Sequence, residues 1–440
     1  MNLVFNIKDK PKFGQTVLFA LQQLLAIMAA TIAVPAIVGN GMSATAALFG
    51  AGVGTLVYLL FTKFSSPVFL GSSFAFLGSM FAAFAGATSV QLGYLGLILG
   101  ALFAGLVYVI LAIVVKVSGV QWIHKLMPAV VIGPTVAIIG LSLAGNAVGD
   151  LTGGSVSASP YVCIICGLVT LAVTMICSVY GKKMLKMIPF VIGILAGYAV
   201  AACFTLIGSL TGNANLLVID FGKFAAIQWV PDFTFLTAFK GVGELTFGYL
   251  VTIFVAYVPV AFVVFAEHIA DHKNLSTIVG VDLLETPGLH RTLLGDGIGS
   301  FAGAIFGGCP NTTYGESIGC VAISGNASTI TILYTAILAI LISFIGPFAT
   351  FLSTIPGCVM GGVCIALYGF IAVSGLKMLQ DVNLNDNHNL FVVSVILIAG
   401  IGGLSVSFGA VTLTEVACAL ILGILTNWML GGMKKAGAKK

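Results

Sequence analysis

Apolar runs of about 20 residues recur from one end of this chain to the other, and no other feature restricts its fold as strongly. A water-soluble domain needs a polar surface. With 59% hydrophobic residues, 7% charged residues and a mean hydropathy of +1.15, this sequence cannot supply one. The composition predicts an all-α polytopic membrane protein, because a helix bonds every backbone N–H and C=O within its own segment where lipid offers no partner. The opening stretch MNLVFNIKDKPKFG is polar and basic without an apolar h-region, so the first helix is expected to act as its own insertion signal.

Cutting the apolar runs at about 20 residues per crossing gives fourteen spans. The third lies near 67–85, the eighth near 246–268, the ninth near 292–308, the tenth near 311–325 and the last near 411–431. With a cytoplasmic N-terminus, every Lys and Arg except Lys223 and Lys240 falls inside, Lys125, Lys183, Lys186, Lys434, Lys435, Lys439 and Lys440 among them. That asymmetry follows the positive-inside rule, and one missed span would scramble it. Both termini are therefore expected in the cytoplasm, on a multi-pass protein of the cell membrane. The long outside loop at 211–245 separates residues 1–210 from 246–440. Seven spans in each half invert the second relative to the first, which is the arithmetic of an inverted repeat.

Spans three and ten stand apart chemically. Ser72-Ser73-Phe74-Ala75 and Thr312-Thr313-Tyr314-Gly315 both read hydroxyl, hydroxyl, aromatic, small, and Pro67, Gly71, Pro310 and Gly315 make poor helix interiors. Broken segments at matching positions of two halves point to a binding site, because irregular backbone survives at membrane depth only where protein or a hydrated cavity satisfies it.

Three acids fall within or beside apolar spans. Glu316 is a functional candidate, since a carboxylate at membrane depth costs about 2.5–3.5 kcal/mol unless it faces a cavity or partner. Glu267 closes the run VTIFVAYVPVAFVVFAEHIADH and shares a helix face with Asp271 at i, i+4, so the two can hold a proton between them. Glu415 reads as a first-turn acid of the last helix. His268 and His272 lack the residue order of a zinc helix and are expected as solvated helix-end residues. Gly295, Gly299, Gly303 and Gly307 form a stripe for close helix approach. The nine cysteines, Cys163-x-x-Cys166 included, are expected as packing residues, and neither a metal nor another cofactor is expected. No phosphate-cradling Lys-Ser/Thr motif accompanies the glycines, so ATP is not expected to drive any pumping.

The blocks QQLLAIMAATIAVP, LGSSFAF, AEH, PGLHRTLLGDG, PNTTYGE and GAVTLTE, in this order, resemble the nucleobase-ascorbate transporters, also called nucleobase:cation symporter family 2, and within them the bacterial uracil permeases. The resemblance covers nearly the whole chain. It departs at Ser317 and Ser324 in the block after Glu316, at Asp271 where His is frequent, and at Gln23 where His often follows Gln. It implies two inverted repeats of seven, with a core domain at about 14–115 and 246–353 and a gate domain at about 128–210 and 360–431. It further implies short antiparallel strands in segments three and ten, and pairing of two copies through the gate. By the same resemblance, Glu267 and Glu316 hydrogen-bond a nucleobase, backbone groups at Phe74 and Gly315 complete the pattern, and Ala30, Phe74 and Tyr314 pack around the ring. Glu267 and Asp271 then carry the proton, while Gln23, Ser73, Asn311, Thr312, Thr313 and Ser317 support the site. The implied activity is proton-coupled import of uracil by alternating access, with no nucleic-acid partner. The alternatives at this point are a xanthine or urate carrier, a channel, an intramembrane enzyme using the two glutamates, and an anion carrier. The last is disfavoured because two membrane carboxylates without an intramembrane Lys or Arg would repel an anion.

Overall fold

The computed structural model describes residues 3–119, 128–153, 156–182, 184–225, 227–380, 382–408 and 411–437. Lys125, Lys183, Lys439 and Lys440 of the inside set, and Gly409 and Ala410 of the GAVTLTE block, lie outside them, as do the side chains of Lys434 and Lys435.

The first half contains α1 (Phe13–Val38), α2 (Ala44–Phe61), β1 (Leu70–Ser72), α3 (Leu77–Ala85), α4 (Val90–Ser118), α5 (Ala129–Ser142), α6 (Ala144–Thr152), α7 (Pro160–Tyr180) and α8 (Pro189–Thr211). The second contains α9 (Phe247–Val279), α10 (Leu289–Gly307), β2 (Asn311–Thr313), α11 (Gly315–Ser324), α12 (Thr329–Ile342), α13 (Gly346–Thr354), α14 (Gly357–Lys377), α15 (Asn387–Ile401), β3 (Val406–Phe408), β4 (Val411–Leu413) and α16 (Glu415–Gly437). Shorter helical turns carry no number. Among the described residues, eight helices are long and apolar enough to cross a membrane, or nine if α12 and α13, bent by 83°, form one span. The chain is a mostly helical, multi-pass membrane protein.

Two sets of helices emerge from the packing. In one, α2 lies along α10 and α12, α4 along α9 and α10, and α1 along α12. In the other, α14 packs on α5, α6 and α7, α8 on α7, and α15 on α5 and α16. The glycine stripe forms the tightest seam of the first set: a Cβ on Gly50 would stand 2.3 Å from the Gly303 carbonyl oxygen, and one on Gly307 would stand 2.6 Å from Ala47 Cα. Backbones this close gain dispersion contact that larger side chains would block.

Two boundaries differ from expectation. The eighth span does not end at residue 268, because α9 runs for 33 residues to Val279. His268 and His272 are therefore not solvated helix-end residues; they are 0% and 1% exposed. The correction has a local cause: α2 and α10 carry hydroxyls and an acid that satisfy both rings. Before the last helix, β3 and β4 form an antiparallel hairpin with Val406 opposite Leu413, and the helix itself opens at Glu415, as a first-turn acid should.

Candidate functional site

β1 and β2 pair antiparallel, with Leu70 opposite Thr313, Gly71 opposite Thr312 and Ser72 opposite Asn311. The Ser73 N–H donates to the Pro310 carbonyl at 2.8 Å and the Tyr314 N–H to the Phe69 carbonyl at 3.2 Å, extending the ladder at both ends. Each strand thus satisfies the other's backbone where lipid could not. Gly308, at φ +73°, turns the chain out of α10 so that β2 can run back beside it. Gly71 admits the Tyr314 ring, which would lie 2.4 Å from any Cβ there, and the Tyr314 hydroxyl donates to the Ser72 carbonyl at 2.8 Å.

The strands end at helix N-termini. After β1, a tight turn at Phe74–Phe76 leads into α3; after β2, α11 begins at Gly315 with Glu316 in its first turn. Free N–H groups at such starts offer donors to a bound ligand.

A cavity of about 350 Å³ lies against these ends, within the range of small-molecule sites. Glu267, Asp271 and Glu316 all line it, each half-buried, with Phe74, Thr312, Thr313, Tyr314 and Gly315. Thr313 Oγ1 donates to Asp271 Oδ2 at 2.7 Å, so a strand hydroxyl orients the acid one turn beyond Glu267. Thr312 Oγ1 has no protein partner, and neither does Ser73 Oγ.

Gln23, Asn311 and Ser317 sit behind the cavity wall. Gln23 Nε2 donates to the Ser317 hydroxyl and carbonyl, while Ser317 Oγ accepts from the Phe69 N–H at 3.0 Å, so the two fasten β1 to α11. Asn311 Nδ2 donates to the Gly50 carbonyl at 3.2 Å, anchoring β2 in the glycine seam. Ala30 is buried away from the cavity, and Ala26, one turn earlier on α1, takes the wall position.

The opposite wall escaped the sequence reading. Phe190 on α8, Ile139 on α5, and Leu367, Phe370 and Ser374 on α14 complete the cavity, with Lys186 and Met378 among its lining residues. Apolar residues inside apolar helices carry no signal to single them out. Lys186 thus brings a basic residue of an inside loop to the edge of the cavity.

Behind the site, His268 Nδ1 donates to Asp296 Oδ2 at 2.7 Å and its Nε2 lies 3.0 Å from Thr292 Oγ1. His272 Nδ1 meets the His268 carbonyl at 2.8 Å and therefore carries the proton, leaving Nε2 as an acceptor beside the Tyr58 and Ser66 hydroxyls at 2.7 and 3.3 Å.

The chain is thus a bundle of apolar helices interrupted by paired strands that end at an acidic cavity. Solved structures share this fold: the transmembrane domain of a cyanobacterium bicarbonate transporter BicA (TM-score 0.63, 16% identity, 95% of this chain and 99% of that one) and the murine anion transporter Slc26a9 in the inward-facing state (TM-score 0.68, 13% identity, 97% and 69%). Residues 14–408 match the model described as the Permease family, Xan_ur_permease. Relatives include a uracil permease of Bacillus caldolyticus, 40% identical over 98% of this chain and 96% of its own length, and one of Escherichia coli K12, 36% identical over 95% and 92%. A putative pyrimidine permease, RutG, of Escherichia coli K12 is 31% identical over 96% and 91%. The chain belongs to this permease family, the nucleobase-ascorbate transporters, and is a transporter rather than an enzyme.

Proposed function

We propose that this permease imports uracil together with protons by alternating access across the cytoplasmic membrane. One observation carries the reading: Glu267, Asp271 and Glu316 converge on a single cavity lined also by strand ends, helix starts, aromatic rings and aliphatic side chains. Uracil is a flat neutral ring with two N–H donors and two carbonyl acceptors. Glu267 and Glu316 accept from its N–H groups, and the N–H groups near Phe74 and Gly315 donate to its carbonyls. Phe74, Tyr314 and Ala26 of α1 supply the apolar surroundings, joined by Phe370 from the opposite wall. The uracil permeases among the relatives support this choice of base.

Three acids around one cavity repel one another when all are charged, so a proton shared by Glu267 and Asp271 accompanies the neutral substrate. Thr313 orients Asp271 for that exchange. Gln23, Ser73, Asn311, Thr312 and Ser317 hold the strand pair that carries the site.

The larger scheme comprises fourteen membrane segments in two inverted halves, divided by the 211–245 loop. The antiparallel pairing of strands in the third and tenth segments supports it, as does the division of helix packing into two sets. The first set is the core, about 14–115 and 246–353; the second is the gate, about 128–210 and 360–431, through which two copies pair. The N-terminal segment binds the loops after α2 and α11: Lys8 Nζ donates to the Phe64 carbonyl at 2.8 Å, and the Val4 N–H to the Gly325 carbonyl at 2.8 Å. All three belong to the side that charge parity assigns to the cytoplasm, as does Lys186 beside the cavity.

The test is uptake of labelled uracil and labelled xanthine by purified protein in proteoliposomes. Saturable uracil uptake, unaffected by excess xanthine and yielding unmodified uracil inside, is expected. Preferential xanthine uptake, or non-saturating flux, would overturn the reading.

A further inference from the structure

A second polar centre lies in the core, walled off from the substrate cavity. Asp296 on α10 is 1% exposed and engages His268 through Oδ2, but its Oδ1 has no partner within the protein. Tyr108 on α4 is 3% exposed, and its hydroxyl also lacks a partner. Both residues line one void between α4, α9 and α10, with Ser300, Asn311, Gly105 and Gly297 around it. None of these residues lines the substrate cavity. The void gives a water centre about 10 Å³ of room, close to the volume that holds one molecule. A carboxylate oxygen and a phenol left bare in a membrane interior would each bear their full desolvation cost.

We propose that one internal water occupies this void, accepting a hydrogen bond from Tyr108 Oη and donating one to Asp296 Oδ1. It completes the hydrogen bonding of the Asp296–His268 pair and ties α4 to the contact between α9 and α10. Neither an apolar filler nor an empty void would satisfy both orphan atoms. A polar void lined by two residues whose buried polar atoms have no other partner is the setting in which buried water is retained.

Two measurements test the site on the full-length protein in lipid nanodiscs. A structure at a resolution that shows ordered solvent should contain a peak within hydrogen-bond distance of both Asp296 Oδ1 and Tyr108 Oη. The peak should keep its height when sodium salts are replaced by rubidium salts. An empty void overturns the proposal, and so does a peak that strengthens with rubidium, which would be a cation. Tyr108→Phe gives an independent reading because the two cases differ in sign. With water present, loss of the hydroxyl removes a hydrogen bond and lowers the unfolding temperature by roughly 1–3 °C. In a dry void the same change removes a bare hydroxyl, so an unchanged or raised unfolding temperature overturns the water.

Discussion

A carboxylate at membrane depth is costly unless it faces a cavity or partner, and Glu267 and Glu316 both line the cavity. Asp271, one turn beyond Glu267, is oriented by the Thr313 hydroxyl. Replacing either glutamate by Gln keeps the shape but removes the charge, and hydrogen bonds to charged groups contribute about 1.5–3 kcal/mol. Glu267→Gln and Glu316→Gln should therefore each reduce uracil uptake by roughly 10- to 100-fold, while gel-filtration behaviour stays that of the parent; wild-type uptake in both would remove the carboxylates from the mechanism. At Thr313, Ser should retain most uptake and Val should lose several-fold, which initial-rate measurements on the two variants would separate. The histidines were misread for a physical reason. Their burial depends on Asp296, Thr292 and Tyr58 from other helices and on Ser66 from the segment after α2, none of which shares a local pattern with the HIADH stretch.

Among the elements, helix-breaking residues at matching positions announced the breaks in spans three and ten and a four-residue period announced the glycine seam, while the pairing of the two breaks as strands was implied by the family resemblance. What the sequence could not give was register. Asn311 is a strand residue, yet its amide reaches through the seam to the Gly50 carbonyl, so seam and strand form one unit. Gly50→Val is accordingly expected to be more harmful than its volume suggests, because the added Cβ meets backbone rather than a yielding side chain. Overpacking of this kind costs about 1–3 kcal/mol; a thermal-shift measurement should show a clearly lower unfolding temperature, and an unchanged one would mean that the seam is looser than described. The cavity wall from α5, α8 and α14 was not legible at all. Phe370 and Leu367 resemble every other apolar residue on their helices until tertiary packing turns one face to the cavity.

At the scale of the whole molecule, charge parity and the odd number of spans are the grounds for the proposed inverted halves, and β1, before the 211–245 loop, pairs with β2, after it. The 211–245 loop does more than connect the halves. The Thr88 and Ser89 hydroxyls donate to Glu244 at 2.6 and 2.9 Å, clasping the loop to the turn before α4 and holding that carboxyl below its usual range. A depressed folded value means that the clasp is fully formed above the ordinary glutamate value of about 4.3 and is lost as pH falls through the lower folded value. Limited proteolysis should thus cut the loop faster in Glu244→Gln than in the parent at neutral pH, with the difference disappearing in strong acid; equal rates at neutral pH would show that the clasp does not restrain the loop.

The central claim joins the acidic cavity to proton-coupled uracil import. Its most direct measurement is labelled uracil accumulation in proteoliposomes with an imposed pH gradient, acidic on the side from which uracil enters, with and without a protonophore. Accumulation above equilibrium that collapses to equilibrium with the protonophore is the predicted result. Uptake that ignores both the gradient and the protonophore would contradict the account.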